Sequence, residues 1–230
     1  MSNLKNLAKY HKTNKYDRGY IDVYEKYFEK IQNKKLNILE IGIGEGGSSI
    51  KVWSEYFLNS NIAALDIVST NLKVKNVEFF CGDQSDEKIL QSIINKFKYF
   101  DIIIDDGSHI SKDLIKSFNF LFEHLSEGGL YMIEDLHYSY YPRYGGSRIN
   151  LKKKDTSLNF LKSLVDSLNY ENYDRPFYKK SKFNGKIKSI KFYQNCAVII
   201  KGKSNIYFYK NKPKSNFINW IKKLSSVIFS

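Results

Sequence analysis

Two short stretches carry most of the chemistry available to this 230-residue sequence. In "IIIDDGSHI" an apolar run ends on Asp105, Asp106, Gly107, Ser108 and His109, and in "YMIED" another ends on Glu134 and Asp135. Runs of that length read as strands built to be dry, so acids and an imidazole at their tips call for an explanation other than packing. In a parallel sheet, ligands bind beyond the carboxyl ends of the strands. Neighbouring strands would therefore bring Asp106, Glu134 and Asp135 together although they are far apart in sequence. Three carboxylates in one place repel unless something positive lies between them. Their hard oxygens suit Mg²⁺ or Mn²⁺, with positions left for water or substrate. His109 follows on a turn that Gly107 permits. Its near-neutral pKa, and a cation that favours the uncharged ring, fit it for general-base work. Asp135 could instead cap a helix, and His109 could be an ordinary loop histidine.

A second motif lies upstream. "LEIGIGEGG" sets Glu40, Gly42, Gly44, Gly46 and Gly47 between a strand and a helix, where glycine lets the backbone turn tightly and approach a ligand. The spacing of Gly42, Gly44 and Gly47 satisfies a dinucleotide fingerprint, and Asp66 at the next strand end is placed to hold ribose hydroxyls. "CGDQSD" then offers Asp83 and Gln84 after a third strand, where polar groups could read an adenine ring. The strand-end series Glu40, Asp66, Asp83 and Asp105 resembles the successive motifs of class I methyltransferases that use S-adenosylmethionine (SAM). An acid-lined crevice repels the pyrophosphate of a nicotinamide dinucleotide but suits the sulfonium of SAM. Asp105 could cap its own turn or bond SAM, and is assigned to the cofactor.

These residues need a scaffold, and the apolar periodicity supplies one. Strand-like runs alternate with helix-like ones from Leu36 to Asp135, which predicts right-handed crossovers and a mainly parallel sheet with helices on both faces. The expected fold is α/β and Rossmann-like, seven-stranded, with an antiparallel last strand from "IKSIKFYQN" and "CAVIIKG". "YIDVYEKYFEKI" reads as a helix within an N-terminal segment, residues 1–35, that completes the fold. The core is expected over 36–202. "DLHYSYYPRYGGSRIN" has no clear period and reads as a lid over 136–150, where Arg143 and Arg148 are candidates for a phosphate contact. Residues 203–230 could form a basic amphipathic helix. Of the other histidines, His137 could touch substrate from the lid, while His11 is ambiguous and His124 reads as a surface or packing residue.

Composition bounds the partners. Hydrophobic residues make up 42% of the chain, and the apolar runs are strand-length, so a globular protein with no stable membrane insertion is expected. The first fifteen residues lack the apolar core of a secretory signal, and Cys81 and Cys196 read as two buried free thiols, so a cytoplasmic location is expected. A net charge of +13 would suit nucleic acid, but the lysines are scattered and the crevice is acidic, so a small anionic substrate such as a nucleotide sugar is expected instead. Aromatic residues in lid and tail could pair two copies as a homodimer.

The run "DIIIDDGSHI…LFEHLSEGGLYMIEDLH", with "LEIGIGEGG" and "GDQSD", resembles the macrocin and mycinamicin sugar O-methyltransferase family. The likeness is specific at "DDGSH" and "IEDLH" and covers roughly residues 36–141. It implies a metal-dependent enzyme that methylates a sugar hydroxyl, with Asp106, Glu134 and Asp135 as metal ligands and His109 as base. A nucleotide-activated heptose or hexose for a surface polysaccharide is the expected acceptor; a phenol or another glycoside is the alternative. The family's Thr-Asp-Lys-like stretch reads "KTNKYDRG" here, with Asn14 in place of Asp, and no contact is assigned to it.

Overall fold

A computed structural model describes residues 3–170 and 181–203. The expected C-terminal amphipathic helix therefore falls almost wholly outside the described residues. The chain opens with three short helices, α1 (Leu4–Tyr10), α2 (Asn14–Asp17) and α3 (Tyr20–Phe28). Gly19, at φ +76°, makes the left-handed turn from α2 into α3. The alternating part follows: β1 (Asn37–Ile41), α4 (Ser48–Tyr56), β2 (Asn61–Asp66), β3 (Val77–Cys81), α5 (Glu87–Phe97), β4 (Phe100–Asp105), α6 (Ser111–Leu121) and β5 (Leu125–Ile133). The described residues end with α7 (Ser157–Leu168), β6 (Ile187–Tyr193) and β7 (Cys196–Lys201).

The seven strands form one sheet in the order β3-β2-β1-β4-β5-β7-β6. β1 to β5 pair in parallel, whereas β7 runs antiparallel to both β5 and β6. This is the expected Rossmann-like class I methyltransferase sheet. The period of two along each strand divides the core. Ile38, Ile62, Ile102, Ile104 and Met132 face a layer that holds Tyr24, Phe28 and Trp53 from α3 and α4. Leu39, Leu65, Ile103, Tyr131 and Ile133 face Ile93, Phe118 and Leu161 from α5, α6 and α7. Burying a side chain of this size stabilises the fold by roughly 1.5–3 kcal/mol. Two faces must be filled, which is why the middle strands are apolar nearly throughout.

Helix starts obey local rules. Asp86 accepts from the Lys88 N–H at the start of α5, and Thr156 accepts from the Asn159 N–H at the start of α7. One thiol differs from expectation: Cys196 is buried, but Cys81 is exposed. Cys81 is the last residue of β3, and β3 is an edge strand with one neighbour only, so its tip lacks cover. Among the described residues no helix is long and apolar enough to cross a membrane.

Candidate active site

The carboxyl ends of β1, β4 and β5 lie side by side, with Ile41 beside Asp105 and Asp105 beside Ile133. The residues that follow each strand therefore meet. Gly42, at φ +80°, starts the glycine loop, and a Cβ there would sit 2.1 Å from the Asp106 carbonyl oxygen. Only glycine lets this loop pass so close to the turn after β4. At Gly44, also left-handed, a Cβ would meet no atom within 4 Å. Asp66, at the end of β2, clasps the loop: Oδ2 accepts from the N–H groups of Ile43 (2.9 Å) and Gly44 (3.2 Å), and Oδ1 from Val68 (2.9 Å).

A cavity of about 440 Å³ opens over these ends, lined by Gly42, Gly44, Asp66, Asp106, His109 and Asp135 and roofed by Lys12–Lys15, Arg18 and Tyr138. A more apolar cleft of about 290 Å³ adjoins it along Ile41, Leu65, Asp83, Gln84 and Ile110, and the two share Gly42, Asp66 and Gly107. Asp83 is exposed and turns its own loop, accepting from the Ser85 N–H at 2.6 Å. Gln84 is a brace as well as a lining residue. Its Nε2 donates to Asp105 Oδ1 (3.1 Å) and its Oε1 accepts from the Ser108 N–H (2.6 Å).

Two residues expected to touch the cofactor line neither cavity. Glu40 is fully buried and accepts at Oε2 from Ser49 Oγ (2.9 Å) and Trp53 Nε1 (3.0 Å). Asp105, 2% exposed, accepts from Gln84 and from Ser117 Oγ (3.1 Å). Burial pushes the Asp105 carboxyl up to about 6, against the pull of those hydrogen bonds. Both acids brace the site from beneath.

The acidic cluster is assembled, with partners that the sequence reading did not assign. Asp106 Oδ1 lies 3.9 Å from His109 Nε2, and Asp135 Oδ2 lies 3.7 Å from it. One ligand atom each from Asp106, His109 and Asp135 fall within 4.8 Å of one another. Glu134 is not in that group. Its Oε1 accepts from Lys15 Nζ (2.7 Å) and from the Tyr24 hydroxyl, while Oε2 is buried without a hydrogen-bond partner among the described residues. Asp135 stands at the start of a 3-10 turn, yet its side chain does not cap it. It is held by Arg18 and by the Tyr20 hydroxyl (2.6 Å). Burial raises the Asp135 carboxyl, but Tyr20, Arg18 and His109 outweigh that and leave it below its usual value. For Lys15, burial works against the charge, but Glu134, Asp106 and Glu40 hold its pKa well above the ordinary one, so it stays an ammonium.

His109 is in the left-handed region at φ +57°, and its ring stacks on Tyr138 at 4.8 Å and 9°. Backbone of this kind in a non-glycine residue costs about 1 kcal/mol or more and concentrates at functional sites. Burial lowers the His109 pKa, Asp106 and Asp135 oppose it, and Arg18 and His137 add to it, so the ring is neutral at pH 7. The expected lid is folded into two 3-10 turns, Leu136–Tyr140 and Pro142–Tyr144, and tied down by the Ser139–Ser157 hydroxyl pair at 2.6 Å. Arg148 lies over the Tyr141 ring at 4.4 Å and Arg143 near Tyr144, so both arginines stack on their own loop. His137 packs on Tyr138, its Nδ1 4.0 Å from Asp135; His11 pairs with Glu55 at 2.9 Å; His124 packs near Phe120.

Lys15, Arg18, Tyr20 and Tyr24 went unassigned. The available signal was the helix from Tyr20, where two tyrosines one turn apart fall on the buried face and their hydroxyls need polar partners there.

No family model matches the chain. Among curated proteins it is 36% identical over 187 residues to demethylmacrocin O-methyltransferase of Streptomyces fradiae, covering 78% of this chain and 47% of that protein. It is 34% identical over 193 residues to mycinamicin VI 2''-O-methyltransferase of Micromonospora griseorubida, covering 79% of this chain and 48% of that one. Among solved structures, the MycE methyltransferase of the mycinamycin pathway, in complex with Mg, SAH and mycinamycin VI, superposes with a TM-score of 0.85 at 29% identity. That match covers 97% of this chain and 59% of the other. The chain thus spans about half the length of the curated relatives it matches. By sequence and by fold, it resembles the macrocin and mycinamicin sugar O-methyltransferases over about half of their length.

Proposed function

We propose that the chain is a SAM-dependent O-methyltransferase that acts on a sugar hydroxyl and uses a divalent cation, Mg²⁺ first. The observation that carries this reading is His109 Nε2, within 4 Å of both Asp106 and Asp135, in the same cavity as the glycine loop. Two features fit a cation: the three clustered ligand atoms, and the unpartnered buried Oε2 of Glu134. Asp106, Asp135 and the free Oε2 of Glu134 would hold it, which leaves the His109 imidazole available as base. When bound, a divalent cation supplies charge that makes a nearby hydroxyl more acidic. SAM supplies an electrophilic methyl on sulfur, and the cavity and its apolar neighbour offer room for it on either side of Gly42 and Asp66, with Gly44 and Asp83 on the walls.

In the Nδ1–H tautomer, His109 takes the hydroxyl proton at Nε2. The hydroxyl oxygen then bonds the methyl carbon as the carbon–sulfur bond breaks. Tyr138, stacked on the ring, keeps Nε2 aimed into the cavity, and Asp135, fixed by Arg18 and Tyr20, steadies the charge that the imidazole gains.

Relatives are named as O-methyltransferases of rhamnosyl-tetracenomycin and of L-olivosyl-oleandolide, which supports a glycoside as acceptor. The nucleotide-activated sugar suggested by the basic composition is the second arm of one screen. Labelled SAM is offered with macrolide and aromatic glycosides and with nucleotide sugars, with and without added Mg²⁺ or Mn²⁺. Methylation of a sugar hydroxyl that chelator stops and metal restores supports the reading. Turnover indifferent to chelator removes the cation, and methylation of phenols alone removes the sugar.

A further inference from the structure

Lys15 sits where the sequence left a blank. Its side chain is 2% exposed, and Nζ lies 2.6 Å from Asp106 Oδ2, 2.7 Å from Glu134 Oε1 and 3.3 Å from Glu40 Oε1. A buried ammonium needs several anionic or polar partners to offset its lost hydration, and these three acids provide them. The ion pairs also divide the acids atom by atom. Asp106 keeps Oδ1 free, facing His109, and Glu134 keeps Oε2 without a hydrogen bond among the described residues; Glu40 Oε1 also accepts no hydrogen bond and faces the Lys15 ammonium at 3.3 Å, while its other oxygen serves Ser49 and Trp53. Asp135 is held by Arg18 and Tyr20.

We infer that Lys15 is a positioning residue, the built-in cation of this site: it commits one oxygen of Asp106 and one of Glu134, leaves each acid a single oxygen for a divalent ion, and so limits the cavity to one such ion. The inference rests on the cation site proposed above. A lysine is suited to this, because a compact point charge on a long stem can meet three acids at once, whereas a planar guanidinium pairs two-by-two.

The test uses Mn²⁺ alone, without SAM or acceptor, and counts bound ions by the loss of the free Mn²⁺ resonance signal. The full chain is expected to take one ion. Lys15→Met removes the charge and frees two oxygens, so it should take a second ion or hold the first about ten-fold more tightly. Glu134→Gln in that background should cancel the gain. A folded Lys15→Met chain with unchanged or weaker Mn²⁺ binding overturns the inference, because a lysine that merely supported the fold would lower affinity when lost. If Lys15→Met does not fold, Lys15→Gln, which keeps a donor but no charge, reads the same quantity. An unsubstituted chain that binds no Mn²⁺ sinks the cation reading itself, a separate failure.

Discussion

The two halves of the site handle negative charge differently. At the ends of β2 and β3, Asp66 and Asp83 are satisfied by backbone N–H groups, three for Asp66 and one for Asp83. At the ends of β4 and β5, Asp106, Glu134 and Asp135 are held by side chains that arrive from α2, its C-terminal flank and α3. The first half is open and rigid by hydrogen bonding to main chain, which suits recognition of a bound molecule by shape. The second half is charged, with Glu134 and Asp135 buried, and its partners are side chains that can be replaced singly. Affinity for SAM should therefore reside in the first half, and turnover in the second.

The sharpest test of that division is His109→Ala, which should lower the turnover number by roughly 10²–10⁴-fold while SAM affinity, measured by calorimetry, stays within about three-fold. Near-normal turnover would clear the ring of the proton transfer. Because burial lowers the His109 pKa, the acid limb of the rate profile should lie below the ordinary histidine value, with activity rising to a plateau by neutral pH. A limb above that value would place the proton elsewhere.

Next in size is a pair in the glycine loop. Gly42→Ala drives a methyl into the Asp106 carbonyl and should cost roughly 2–5 kcal/mol in denaturant unfolding, or force the loop from the β4 turn. Gly44→Ala, with open space around it, should cost only about 1 kcal/mol from its left-handed backbone. Equal costs would mean that the close approach does not matter.

A third test concerns the bracing acid beneath both halves. Asp105 is pushed up to about 6 from 3.8, so between those values the folded chain holds a proton that the unfolded chain has lost. Stability should fall as pH rises through that window, by up to about 3 kcal/mol, and Asp105→Asn should flatten the slope. Thermal unfolding between pH 4 and 7 reads this directly, and an unchanged slope would assign the titration elsewhere. The smallest effect is expected of Arg148→Ala. Its stacking on Tyr141 at an exposed position is worth about 0.5–1 kcal/mol, and turnover should stay within about two-fold.

The same contrast explains what could be read from the sequence. Strand periodicity, the glycine loop and the tips of β4 and β5 are local patterns, and the expected sheet follows from them. The need for positive charge among Asp106, Glu134 and Asp135 was also legible. Its source was not, because Lys15 lies 91 residues from Asp106 and 119 from Glu134, and no local rule links an α2 lysine to a strand end. Glu40 and Asp105 were placed at the right strand ends, but which way a strand-end acid turns depends on Trp53, Ser49, Gln84 and Ser117 from other elements. Cys81 was misjudged for a related reason: an apolar run looks the same on a central strand and on an edge.

The long span from α2 to the end of β5 also orders events on the ribosome. Lys15, Arg18, Tyr20 and Tyr24 are made early, and their anionic partners on Glu134 and Asp135 emerge more than a hundred residues later. Until then Lys15 has Glu40 within reach but neither Asp106 nor Glu134, and Arg18 lacks Asp135. The roof over the cavity therefore gains its ionic anchors only once β4 and β5 have been made.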